Sequence, residues 1–162
     1  QTIRDRFLTS WEQAEALVPG WIDTPDGALA ALILTDQFPR NMFRGDPRSF
    51  ATDALARRIA DQAIASGFDL HIDPPARQFF YLPFEHSENL DDQNRAVELF
   101  GEFMPGENEH HAVLHRDTIA RFGRFPWRNA ALRRTPTEAE NQVMQAGGYG
   151  ALVSGKLSLA DL

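Results

Sequence analysis

Glu85-His86-Ser87-Glu88 sets an imidazole among carboxylates, and a histidine in such company titrates near neutral pH, where it can accept or release a proton. Further along, His111 and His115 stand four residues apart, a spacing that puts both on one face of a helix. His86, His115 and Glu88 are therefore the candidates for acid–base catalysis. The two helical histidines could also begin a metal site, but H-H-A-V-L-H lacks the glutamate of a zincin and no motif supplies a third ligand. No metal and no cofactor are expected. Simpler roles compete: a Glu-His-Ser-Glu corner caps a helix and forms a salt bridge, and a core histidine such as His115 bonds a carboxylate. No serine or threonine stands in a nucleophile elbow, and the G-x-G-x-x-G and P-loop patterns are absent. No stretch spells a known catalytic or cofactor-binding motif.

Cations that could meet an anion are expected on two turns. The first follows H-R-D-T-I-A-R-F, whose spacing places His115, Ile119 and Phe122 on one helical arc and points His115 towards the core. Gly123 and Pro126 then stop the helix, leaving Arg124, Arg128 and Asn129 on a turn with Phe125 and Trp127. The second, D-Q-F-P-R-N-M-F-R-G, puts Arg40, Asn41 and Arg44 beyond a helix that should end at Phe38. Asp36 sits among leucines on that helix, and a buried carboxylate requires a partner, here an arginine from elsewhere in the chain. F-P-R-N and F-P-W-R-N echo each other, but two matches are too few for a repeat. Lys156 is the only lysine, so nearly every cation is a guanidinium, suited to two-pronged pairing with carboxylates or phosphates.

Helices must position all of these groups. Gln1 to Val18 is amphipathic and stops at Pro19-Gly20. Thr24 caps a second helix with Pro25 at its first position and Asp26 in its first turn. An alanine-rich helix runs from Pro47 or Ser49 to Ser66, closed by Gly67, and a loop from Phe68 to Pro75 leaves His71 in solvent. Helices from about Asn89 to Phe103 and from 108 to 122 flank Pro105-Gly106. Thr135-Pro136-Thr137-Glu138 reads as a capping box for a helix running to about Gln145. Gly147, Gly148 and Gly150 release residues 147–162 into a weakly determined tail with one further helical turn.

With 162 residues and 43% hydrophobic content, the chain is expected to form one domain, 1–162. It has no cysteine, which excludes disulfides and thiolate sites and permits a cytoplasmic location. A net charge of −7 argues against nucleic acid as a partner, and no apolar run approaches a membrane span. Charge is unevenly spread: between Glu85 and Glu109 acids face only Arg95, whereas six arginines between Arg116 and Arg134 face only Asp117. These blocks should attract each other.

The strings L-I-L-T-D-Q-F-P-R-N-M-F-R-G, F-F-Y-L-P-F-E-H-S-E-N-L-D-D-Q and H-R-D-T-I-A-R-F-G-R-F-P-W-R-N, followed by T-P-T-E, resemble the uncharacterised bacterial family called domain of unknown function 924. The match covers about residues 3 to 148. The resemblance implies an all-α, tetratricopeptide-like superhelix of antiparallel helix pairs and no established activity. It carries recurrent polar positions onto Asp36, Gln37, Arg40, Asn41, Arg44, His86, Ser87, Glu88, Gln93, His115, Arg116, Arg124, Arg128 and Asn129. Members usually have a further aromatic-rich helix ahead of Ile3, a glycine where Arg133 stands, and often a histidine where Trp127 stands.

The expected fold is thus all-α, a right-handed stack of about seven helices. Asp36, Arg40, His86, Glu88, His115, Arg124, Arg128 and Asn129 are expected to gather in a polar pocket for a small anionic molecule or a peptide carboxylate. Two alternatives stand beside it: a hydrolase using His86 or His115 as general base, and a closed salt-bridge network with a protein-interaction role. The oligomeric state is not legible.

Overall fold

Capping side chains and proline-bearing turns fix most helix boundaries in the structure, a computed structural model that describes residues 2–162. Among these residues every regular element is helical and there is no strand. The chain divides into two compact units, Gln1–Phe84 and Glu85–Leu162.

In the first unit Thr2 and Asp5 form a capping box for Ile3–Glu12; the expected start at Gln1 lies outside the described residues. The helix breaks at Gln13, resumes for Ala14–Leu17 and ends in the 3-10 turn Val18–Gly20. Thr24 then accepts a hydrogen bond from the Gly27 amide at 3.1 Å, with Pro25 at the first position of Pro25–Leu32, as the sequence predicts. Gly27 is obligatory there, because a Cβ would lie 1.8 Å from the Trp21 carbonyl oxygen. Ala28, Ala31, Ala56, Ala60 and Ala63 are fully or nearly fully buried, and these small side chains bring Pro25–Leu32 close to the helix Asp53–Ala65.

The second helix does not stop at Phe38. It widens into a π-helical stretch, Ile33–Gln37, and continues as Phe38–Met42, so Arg40 and Asn41 are helical and only Arg44 lies on the turn that follows. A proline inside a helix removes one ladder hydrogen bond and crowds the preceding turn, and a wider turn accommodates both effects. The Phe38 amide reaches back to Ile33 O. In an α-helical ladder an amide at position 39 would meet Thr35 O, and that carbonyl receives the Thr52 hydroxyl. Thr52 Oγ1 also accepts from Trp11 Nε1 at 3.0 Å, tying the first helix to the wide turn.

In the second unit, Asn89 accepts from the amides of Asp91 and Asp92 and opens Leu90–Phe103, as expected. Glu107–Phe122 packs against it and ends at Gly123, whose φ of +71° is the left-handed conformation glycine adopts without cost. After the 3-10 turn Pro126–Arg128, the capping box is two residues later than predicted: Thr137 caps Glu138–Ala146 and Glu140 closes the box. Thr137 and Glu140 have the same spacing as Thr135 and Glu138, and the Glu140 carboxylate has a further partner in Arg124 that selects this frame. The further helical turn is Tyr149–Val153.

Replacing Thr52 with valine removes the donor to Thr35 O and the acceptor for Trp11 Nε1 while keeping shape. We expect a loss of about 1 to 3 kcal/mol in urea denaturation. An unchanged midpoint would show that neither group depends on Thr52.

Candidate functional site

In the first unit, Asp36 is 1% exposed. Its partner comes from four residues along the same helix: Arg40 Nη1 lies 3.3 Å from Asp36 Oδ1 and bonds the Asp36 carbonyl at 2.8 Å. Arg40 also places both fork nitrogens on Asp53, at 2.8 and 2.9 Å, and stacks over Phe50. Burial alone would lower the Arg40 pKa, but Asp36 and Asp53 outweigh it and hold the guanidinium above its ordinary value. Two carboxylates thus share this cation.

The second unit contains two comparable pairs. Arg124 grips Glu140 through Nε at 2.6 Å and Nη2 at 2.7 Å, and bonds Thr135 O. The hydrogen bonds from Arg124, opposed by burial and aided by the Thr137 amide and the facing Asn129, bring Glu140 down to about 2. Asn129 Nδ2 is buried and closes no well-formed hydrogen bond, so its part there is the smaller one. Arg134, which the sequence did not single out, takes Glu88 at 2.8 and 3.0 Å, with Asn129 Oδ1 and Phe125 O. Burial pushes Glu88 up, but Arg134, the Phe125 amide and Arg128 together leave it below its ordinary value. The acidic and basic blocks do attract, and here they meet.

Gln93 shapes the Glu-His-Ser-Glu corner. Its buried amide donates to Glu85 O at 2.6 Å and Ser87 O at 2.7 Å, while Ser87 Oγ donates to Asp92. Arg128 donates to His86 O at 2.8 Å and lies 4.6 Å over the Phe125 ring. The corner therefore caps, as the simpler reading requires, and it also aims Glu85 inward.

Glu85 Oε1 lies 3.1 Å from His115 Nδ1. The same nitrogen lies 2.8 Å from His111 O, an acceptor only, so it carries the hydrogen of the neutral tautomer. Two influences oppose each other at this ring. An ionised Glu85 would favour imidazolium, whereas burial disfavours it; burial prevails, aided by positive potential from His86, His111 and Arg128, and brings His115 down to about 3. The bond to His111 O is one that a neutral ring makes equally well. Nε2 forms no protein hydrogen bond among the described residues and is not sealed off.

Aromatic rings surround it: Tyr149 at 4.6 Å, Phe125 at 5.4 Å and Trp127 at 6.1 Å between centroids, with Phe125 and Trp127 stacked. Tyr149 comes from the glycine-rich tail, where no pattern marks it, and its hydroxyl bonds His111 Nδ1. Burial first, then Glu85, pushes the Tyr149 pKa above its ordinary value, so the hydroxyl stays protonated. Among the described residues no three His, Cys, Asp or Glu groups converge to hold a metal ion, and no helix is long and apolar enough to cross a membrane.

Residues 1–148 match the family described as bacterial protein of unknown function, DUF924. The chain belongs to this family. A solved structure, of a protein of unknown function from Agrobacterium tumefaciens, is 44% identical, with a TM-score of 0.84 over 89% of this chain and 82% of that one. No curated protein matches. Arg133, where the resemblance implies a glycine, has φ of +53°, a conformation that strains a side-chain-bearing residue.

Of the predicted site residues in this DUF924 chain, His86, Glu88, His115, Arg124, Arg128 and Asn129 belong to the second unit, and Asp36 and Arg40 to the first. Asp53, Glu140, Arg134 and Tyr149 were not anticipated. Truncating Arg40 to alanine removes the guanidinium that Asp36 and Asp53 share and should cost about 3 to 5 kcal/mol in chemical denaturation. A loss below about 1 kcal/mol would mean that Asp36 is satisfied by other groups.

Acid stability should show two windows. His115 is depressed on folding, so the unfolded chain binds the extra proton, and stability falls as pH drops from about 6.5 towards 3. Glu140 contributes stability that is complete above about 4.5 and is lost as pH falls towards 2. Each group adds a slope of up to about 1.4 kcal/mol per pH unit within its window. His115→Phe should flatten the first window and Glu140→Gln the second; unchanged slopes would contradict both assignments.

Proposed function

We propose that residues 85–162 form a tetratricopeptide-like, ligand-binding helical domain centred on His115, working in the cytoplasm. The observation that carries this reading is a neutral imidazole whose Nδ1 hydrogen is committed and whose Nε2 lone pair has no partner among the described residues, set among Phe125, Trp127 and Tyr149. A lone pair accepts a hydrogen bond and repels a carboxylate. Arg124 and Arg40, expected to take an anion, have their forks on Glu140 and Asp53. The reading therefore narrows from an anion to a small hydroxylated molecule whose O–H meets Nε2 and whose apolar body lies against the rings.

A hydrolase with His115 as base draws support from the Glu85 contact, which orients the ring as a carboxylate orients a catalytic imidazole. Against it, a group that titrates near 3 has little driving force to abstract a proton at neutral pH. The second reading, an architectural network with a protein-interaction role, has its own observation: Arg40, Arg124 and Arg134 each hold a carboxylate in a two-pronged bond.

Phenol, anisole and acetate separate these readings when added to protein with 15N-labelled histidine. Phenol should move the His115 Nε2 resonance, anisole and acetate should not, and the phenol response should be flat from pH 8 to 5. His115→Phe should retain the fold and lose the stabilisation by phenol. A His115 signal that ignores phenol removes the binding reading and leaves the network; one that titrates near pH 7 restores the hydrolase.

A further inference from the structure

A hollow of about 320 Å³ in the second unit is distinct in its lining from the His115 ring cluster, although Trp127 belongs to both. Its walls include Trp127, Pro126, Pro136 and Met144, with Asn129, Arg134 and Asn141 as polar groups. Three features define what would fit. The indole N–H of Trp127 forms no hydrogen bond within the protein among the described residues, and this atom is a donor only. A tryptophan packed this closely usually finds a partner for that hydrogen. The ring itself is held firmly, stacked on Phe125 at 5.1 Å and close to Tyr149 at 5.3 Å.

The second feature is charge. Arg134 is the cation of the lining, and Glu88 neutralises it through two hydrogen bonds, so the hollow presents no net attraction for an anion. The third is Met144, 44% exposed, whose flexible and polarizable thioether adapts to flat aromatic surfaces. The volume is at the lower end of the range for small-molecule sites, enough for one or two rings.

We infer that this hollow binds an uncharged planar ligand carrying a carbonyl oxygen, with the ring between Trp127, the prolines and Met144 and the oxygen accepting the Trp127 indole hydrogen. The site asks for an aromatic amide, ester or ketone, recognised through its carbonyl acceptor rather than through the hydroxyl donor that His115 would accept. It does not depend on the reading of His115.

Benzamide, toluene and benzoate test it on the full chain by titrations that follow the three indole N–H resonances, with Trp127→Phe identifying the relevant one. Benzamide should shift the Trp127 signal and leave those of Trp11 and Trp21 in place. Toluene, lacking the acceptor, and benzoate, carrying a charge, should bind more weakly. Met144→Ala, a change at an exposed position that leaves folding intact, should weaken benzamide about two- to tenfold. A Trp127 signal unmoved by benzamide, equal binding of toluene or benzoate, or an unaltered affinity in Met144→Ala would each overturn the inference. Because the readout is an indole rather than His115 Nε2, failure here and failure at His115 are separately visible.

Discussion

A carboxylate withdrawn from water must be matched by hydrogen-bond donors, and in each unit this requirement fixes the backbone around the candidate residues. Asp36 and Glu140 are both about 1% exposed. Leaving either ion unmatched would be more costly than any helix propensity in its neighbourhood. In the first unit the matching cation comes from a helix that continues through Pro39, which is why the wide turn at Ile33–Gln37 is maintained by the Thr52 hydroxyl and the Arg40 side chain. In the second, Arg124 leaves the Glu107–Phe122 helix just after Gly123 and holds the first turn of Glu138–Ala146.

The helices were legible wherever a boundary has a local cause. Thr24-Pro25, Asn89 and Gly123 end or begin helices through groups within three residues of the boundary, and the structure has them where the spacing predicts. The failures have a common physical origin. Pro39 reads as a stop because the hydroxyl of Thr52, which bonds the Thr35 carbonyl from seventeen positions away, is invisible to local reasoning. The capping frame at Thr137 depends on Arg124, sixteen positions from Glu140. Phe-Pro-Arg and Phe-Pro-Trp-Arg look alike but differ in what precedes them, since Gly123 has already ended one helix and nothing comparable precedes Pro39.

The candidate site was legible in its types and less so in its pairings. A buried Asp36, an inward His115 and attraction between the acidic and basic blocks all follow from periodicity and charge. Which arginine meets which acid does not follow, because a guanidinium reaches several carboxylates and local packing selects one. Arg134 lay in the shadow of Arg133, and only the backbone shows their division of labour: Arg133 takes the left-handed turn and Arg134 returns to Asn129, Glu88 and Phe125. Tyr149 follows two glycines, and neither spacing nor charge distinguishes it from tail.

His115 shows how the closed pairs bear on function. Were the neighbouring arginines open to solvent, an anion would be the natural ligand and a protonated imidazole would assist it. With Glu88 and Glu140 occupying Arg134 and Arg124, burial leads at the ring and, with the positive potential of His86, His111 and Arg128, outweighs the His111 carbonyl and Glu85, which favour a charge. Burial is what drives the imidazole to its neutral form. Its free lone pair is then the consequence of Nδ1 being directed at His111 O and Glu85, an orientation set by the helix on one side and by Gln93 bracing the corner on the other. On the binding reading proposed here, architecture and recognition are not rival uses of the same residues: the guanidinium pairs make the scaffold, and burial within it leaves the histidine an acceptor at Nε2.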